Sequence, residues 1–153
     1  MYPQTHFIVP FLLAEVLVKL GILNHKLAFL AGLIGVIIDL DHYLYRVIKY
    51  KDFSLKDSWN GAIVRGDPGE RTFLHHRFGA LIVALISGVM GLFYWPGAIV
   101  LVLGYYSHLL LDDIHIKTKK ILRLKEEGYV FKIPFYEIIV DVILGLLILT
   151  IIF

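Results

Sequence analysis

Residues 27–42 read LAFLAGLIGVIIDLDH, an apolar run that closes on two carboxylates and an imidazole. With its flanks the run is long enough to cross a bilayer, so Asp39, Asp41 and His42 stand where hydrocarbon is still close. Ionisable groups there are costly and rare, and they usually face a protein interior or a watery cavity in which something compensates them. A divalent cation is one such compensator, because carboxylate oxygen and imidazole nitrogen are the donors it takes. The stretch therefore predicts a membrane helix with metal ligands at its end, completed by ligands from elsewhere in the chain.

Composition agrees with a membrane setting. A chain of 153 residues that is 58% hydrophobic, with a mean hydropathy of +0.75, is too apolar for an ordinary soluble domain of this size. Cysteine is absent, which removes disulfides, thiolate nucleophiles and cysteine-ligated zinc and leaves metal chemistry to His, Asp and Glu. The formal net charge of +2 is less informative than where the basic residues fall. No repeat, low-complexity tract or linker divides the chain, so residues 1–153 are expected to form a single membrane-embedded domain.

Outward from the opening stretch, apolar segments at about 6–20, 27–45, 73–95, 98–113 and 134–153 predict an all-α integral membrane protein, a bundle of about five transmembrane helices. The first segment lacks a basic lead-in and a small-residue cleavage site, so it is expected to be retained rather than removed as a signal peptide. It carries Glu15, for which an i,i+4 pair with Lys19 is favoured over a catalytic carboxylate. Residues 21–26 return the chain antiparallel, and Pro96-Gly97 is expected to form a second tight turn. Between the spans lie two polar segments. Asn60-Gly61 and Asp67-Pro68-Gly69 mark turns in the first; the second, 115–133, accommodates either an interfacial amphipathic helix or a hairpin at Glu127-Gly128.

Alternation of five spans places the N-terminus and both polar segments on one membrane face. That face carries all but Lys19 and Lys26 of the 15 basic residues, so the positive-inside rule makes it cytoplasmic, giving an N-in, C-out orientation in a multi-pass cytoplasmic-membrane protein. The same alternation gathers His6, Asp39, Asp41, His42, His75, His76, His108 and Asp112 at that face, with Glu137 and Asp141 nearby. The opposite face holds His25. Polar residues do collect at helix ends because the interface tolerates them, and any one of these residues is explained that way; so many together point to a metal site. Asp39 with His42 at i,i+3, and His108 with Asp112 at i,i+4, can each aim into one cavity. Asp41 lies well around the helix from Asp39 and reaches the same ion only if the helix unwinds there, or else serves a second ion. His115, near the interface, is set aside as exposed.

These motifs resemble a known family, the YdjM-type, LexA-binding, inner-membrane-associated metal-dependent hydrolases. The resemblance rests on His6, on Asp39-Leu40-Asp41-His42, on Arg71-Thr72-Phe73-Leu74-His75, and on Gly104 to His108 to Asp112 in the spacing Gly-x-x-x-His-x-x-x-Asp. Glu70 stands where the family pattern often has a histidine before the arginine, His76 where serine is common, and Ile38 where proline often precedes Asp-x-Asp. What the resemblance implies is a small multi-span membrane protein with hydrolase activity.

The expected chemistry is metal-dependent hydrolysis at the cytoplasmic membrane face. One or two divalent ions, zinc foremost, would be held by His6, Asp39, Asp41, His42, His75, His108 and Asp112. Arg71 would stabilise developing negative charge, and Glu70 or a non-ligating aspartate would take a proton from water. An interfacial site suits an amphiphilic ester or phosphoester, so membrane lipids are the expected partners and nucleic acid is not. No phosphate-binding Gly-rich loop and no Gly-x-Ser-x-Gly elbow is present, which excludes nucleotide-driven and serine-hydrolase chemistry. The alternative is a non-enzymatic metal-stabilised scaffold or small transport module, for which the scarcity of polar groups at mid-membrane speaks poorly.

Overall fold

The structure, a computed structural model, describes residues 3–55, 72–122 and 135–152. Its regular elements are helical: α1 (Pro3–Lys19), α2 (His25–Ile37), α3 (Leu40–Tyr50), a 3-10 turn (Phe73–His75), α4 (Arg77–Phe93), α5 (Trp95–Leu122) and α6 (Phe135–Ile152). The turn signals at Asn60-Gly61, Asp67-Pro68-Gly69 and Glu127-Gly128 lie outside the described residues. Among the described residues, three stretches are long and apolar enough to cross a membrane, His25–Tyr50, Trp95–Thr118 and Phe135–Ile152, and Arg77–Phe93 is a shorter apolar helix. The protein is an all-α membrane protein.

Helix α1 ends where Gly21, at φ +72, takes the left-handed conformation that closes a helix. Its N–H and that of Ile22 return to the carbonyls of Val18 and Leu17, both at 2.9 Å. Asn24 then caps α2 by accepting from the Leu27 N–H at 3.0 Å, so the reversal is short and rigid. Packed this way, α1 and α2 bury Ala14, Leu23, Ala28 and Ala31 together with Val100 of α5. Small side chains make close approach possible. A Cβ on Gly104 of α5 would come within 2.6 Å of Ile34 Cγ2, and one on Gly32 within 2.7 Å of the Phe7 ring.

Residues 25–50 do not form one uniform helix. At Ile38 and Asp39 the backbone stays right-handed, but the N–H groups of Asp39, Asp41 and His42 bond to the carbonyls of Val36, Ile38 and Asp39. Those are i to i−3 bonds, and three residues per turn bring positions 39 and 42 into register on one side. Local unwinding, the condition for Asp41 to reach the same ion as Asp39, is thus not what the backbone does; it tightens. Helix α3 then leaves the core with no buried residue and ends at Lys51, whose φ of 53 forms a left-handed cap.

Two boundaries differ from expectation. The chain reverses at Tyr94, so Pro96 sits in the first turn of α5, where its missing N–H costs nothing, rather than in the turn itself. Helix α5 also continues past Asp113 to Leu122, so the described part of the basic segment is helical. Helices α1, α2 and α4 pack against α5, and α2 and α6 pack against α1. The large apolar side chains on the outer faces of α4 and α6 are exposed, as lipid-facing surfaces are.

Candidate metal centre

The centre starts from a proline. Pro10 has no N–H to offer the His6 carbonyl one turn earlier, which leaves that side of α1 open to a close neighbour. Gly35 of α2 is that neighbour: a Cβ there would overlap the His6 carbonyl oxygen and come within 3.0 Å of the Pro10 ring. The Gly35 carbonyl in turn accepts from Nδ1 of His108 at 2.7 Å. With its proton on Nδ1, neutral His108 presents an Nε2 lone pair to the interior. His6 and His108 are fully buried, and their rings stack with centroids 4.0 Å apart.

Two aspartates face these imidazoles. Oδ1 of Asp112 lies 3.1 Å from His6 Nε2, and its Oδ2 lies 3.4 Å from His108 Nε2 and 3.6 Å from His75 Nε2. Oδ1 of Asp39 lies 3.5 Å from His108 Nε2. One ligand atom from each of His6, Asp39, His108 and Asp112 falls within 4.8 Å of the others, the spacing a bound cation requires. Despite these short distances, neither nitrogen of His6, nor Oδ2 of Asp39, makes an aligned hydrogen bond to a described residue. Buried polar atoms are ordinarily satisfied. Unsatisfied His6 nitrogens and an unsatisfied Asp39 oxygen within this cluster fit a central ion, and an all nitrogen and oxygen donor set suits zinc or a similar divalent metal.

A second group, Asp39, His42 and His75, meets the same distance condition. His75 comes from the 3-10 turn, which α5 holds in place: the Tyr105 hydroxyl donates to the Leu74 carbonyl, and that of Tyr106 to the Ala80 carbonyl at 2.7 Å. Nδ1 of His75 faces Asp41 Oδ2 at 3.2 Å and the Thr72 hydroxyl at 2.9 Å, and Thr72 also donates to Asp41. Its Nε2 faces Nε2 of His108 at 3.0 Å. The neighbouring His76 is exposed, so the turn offers His75 to the centre.

The fold thus brings His6, Asp39, His42, His75, His108 and Asp112 together. Asp41 stands behind His75, in the orienting position carboxylates commonly take toward metal-bound histidines. Glu70 and Arg71 lie outside the described residues. Sequence reading missed Thr72, although a threonine three residues before a histidine at a helix start is a familiar hydrogen-bonding arrangement. It also missed Gly35 as more than a packing residue.

Two further polar contacts correct local expectations. Glu15, almost fully buried, meets Nδ1 of His25 with both carboxylate oxygens, at 3.0 and 2.9 Å, and not Lys19. The reversal at Gly21 brings His25 back over α1, a contact that i,i+4 reasoning within one helix does not contain. His115 is buried, with Nδ1 2.9 Å from the Tyr136 hydroxyl. Beside it the Thr5 hydroxyl lies 3.1 Å from Glu137 Oε1 and 2.7 Å from Asp141 Oδ1, which ties α6 to α1 next to His6.

No curated protein and no solved structure matches the chain. The family model described as YdjM inner membrane protein matches residues 1–150, and the chain belongs to that family.

Proposed function

We propose that this YdjM-family inner membrane protein is a metal-dependent hydrolase whose cation is held by His6, Asp39, His108 and Asp112. The observation that supports it is the convergence of four ligand atoms within 4.8 Å of one another, two of them on fully buried histidines. A divalent cation bound there would polarise an ester or phosphoester oxygen and make water a usable nucleophile near neutral pH.

The chain's own groups do the rest. His108 is fixed by the Gly35 carbonyl and His75 by Asp41 and Thr72, so neither imidazole has to reorient when substrate arrives. The Asp39 and Asp112 side chains are 28% and 26% exposed while His6 and His108 are sealed, so approach is from the aspartate side. Arg71, covalently next to Thr72, is assigned to the developing negative charge, and Glu70 to the proton released by water.

The substrate class proposed is an amphiphilic ester or phosphoester whose apolar part stays in the bilayer. One membrane-embedded domain with five spans, N-in and C-out, puts the centre at the cytoplasmic face, where the basic segments rest on anionic head groups. Metal analysis of detergent-purified protein, followed by a screen of lipid phosphates and lipid esters, tests the reading. His108→Ala and Asp39→Ala are each expected to lose most of the bound metal and all turnover. A parent protein that binds no metal ends the proposal; one that binds metal but hydrolyses nothing in the screen moves it to a metal-stabilised scaffold.

A further inference from the structure

Asp39 belongs to both groups of converging ligand atoms, with His6, His108 and Asp112 on one side and with His42 and His75 on the other. The tightened turn at 38–42 makes this possible, because it aligns Asp39 with His42 while Asp39 still points at His108. Its two oxygens have different surroundings. Oδ1 lies 3.5 Å from His108 Nε2, whereas Oδ2 is buried without a hydrogen-bond partner among the described residues.

His75 and His108 add a second constraint. Each has its Nδ1 engaged by an acceptor, the Asp41 carboxylate for His75 and the Gly35 carbonyl for His108. A neutral imidazole carries one N–H, so both Nε2 atoms then present lone pairs, and they face one another at 3.0 Å. Two lone pairs at that distance repel. Either a proton sits between them, or the lone pairs are directed to bound cations, one ion shared by both or one ion each.

We propose that the centre holds two divalent cations bridged by the Asp39 carboxylate, the second bound by His42 and His75, with Asp41 and Thr72 as positioning residues for His75. This rests on the metal-binding reading above and goes beyond it in number and arrangement. Charge favours two ions. Asp39, Asp41 and Asp112 together carry three negative charges, so one dication leaves the cluster negative, a costly state this close to hydrocarbon. Two dications leave it positive by one charge, which the anionic head group of a phosphoester neutralises. Paired ions are also the arrangement that clamps both the attacking and the leaving oxygen in phosphoester hydrolysis.

The test uses the full-length protein in detergent, stripped with chelator and reloaded with Mn²⁺ alone. Two tightly bound ions per chain and an exchange-coupled electron paramagnetic resonance spectrum are expected. His42→Gln should retain one ion with an uncoupled spectrum, and Asp39→Asn should weaken both. One ion per chain in the parent, with an uncoupled signal, overturns the second site and assigns the His75–His108 contact to a shared ion or a shared proton. No ion at all overturns the metal reading itself. The parent's stoichiometry and coupling decide the matter even if a variant fails to fold.

Discussion

Gly35 touches both sealed histidines of the centre: its carbonyl accepts from His108 Nδ1 at 2.7 Å, and its bare Cα leaves room for the His6 carbonyl that Pro10 cannot bond. One residue without a side chain therefore sets the spacing of α1 and α2 and the tautomer of a ligand. Gly35→Ala forces α1 away and disturbs the acceptor. Outer partners of metal ligands are worth ~10–100-fold in affinity when lost, so metal titration should show a drop of that order together with a lower Tm. Unchanged affinity would mean that the Gly35–His108 contact is incidental.

The pair at the other end of α1 makes a contrasting prediction. His25→Ala removes the partner of a buried carboxylate and should destabilise the protein by about 1–3 kcal/mol, while the metal content per folded chain stays at the parent value. Glu15→Gln should be milder, because a neutral amide is easier to leave in an apolar core. Thermal unfolding and metal analysis on the same samples check both. Loss of metal in His25→Ala would link the two ends of the bundle in a way the contacts do not suggest.

Arg71→Ala and Glu70→Gln separate an enzyme from a scaffold. If these residues act on the reacting groups, metal content and Tm hold while turnover collapses, since losing a donor to developing charge costs ~2.7–4 kcal/mol in barrier. A scaffold has no transition state to stabilise. There, the same substitutions are silent or act through Tm.

Orientation follows from reporter fusions. A reporter after Phe153 should read outside the cytoplasm and one within residues 56–67 should read inside. Both on one side would remove the five-span arrangement.

Much of the centre was legible because it depends on few variables. Reading the apolar segments as alternating spans was enough to gather His6, Asp39, His42, His75, His108 and Asp112 at one end, and the structure brings these six together. Helical spacing correctly paired Asp39 with His42 and His108 with Asp112. What escaped depends on contacts between segments. Asp41 could not be assigned from a regular α-helix, because the tightening at Ile38 and Asp39 carries no glycine or proline to announce it. Glu15 was given the partner one turn away, since nothing local signals that His25 folds back over it. His115 read as exposed because its cover, Tyr136 and Glu137, comes from another helix.

The brevity of α2 has a consequence for the bilayer itself. Its 13 residues rise only ~20 Å, and tilt shortens that further, whereas a typical hydrocarbon core is ~30 Å thick. In the orientation proposed above, which puts His25 at one surface, Asp39 would be reached well before an undistorted leaflet ends. Helix α3 continues the stretch to Tyr50, so the polar groups at 39–42 fall within hydrocarbon depth, a situation relieved by thinning the membrane or drawing flanking polar groups inward. On the function proposed above, a leaflet dimpled around Asp39 would let a head group meet the centre by sinking into the interface rather than by leaving the membrane.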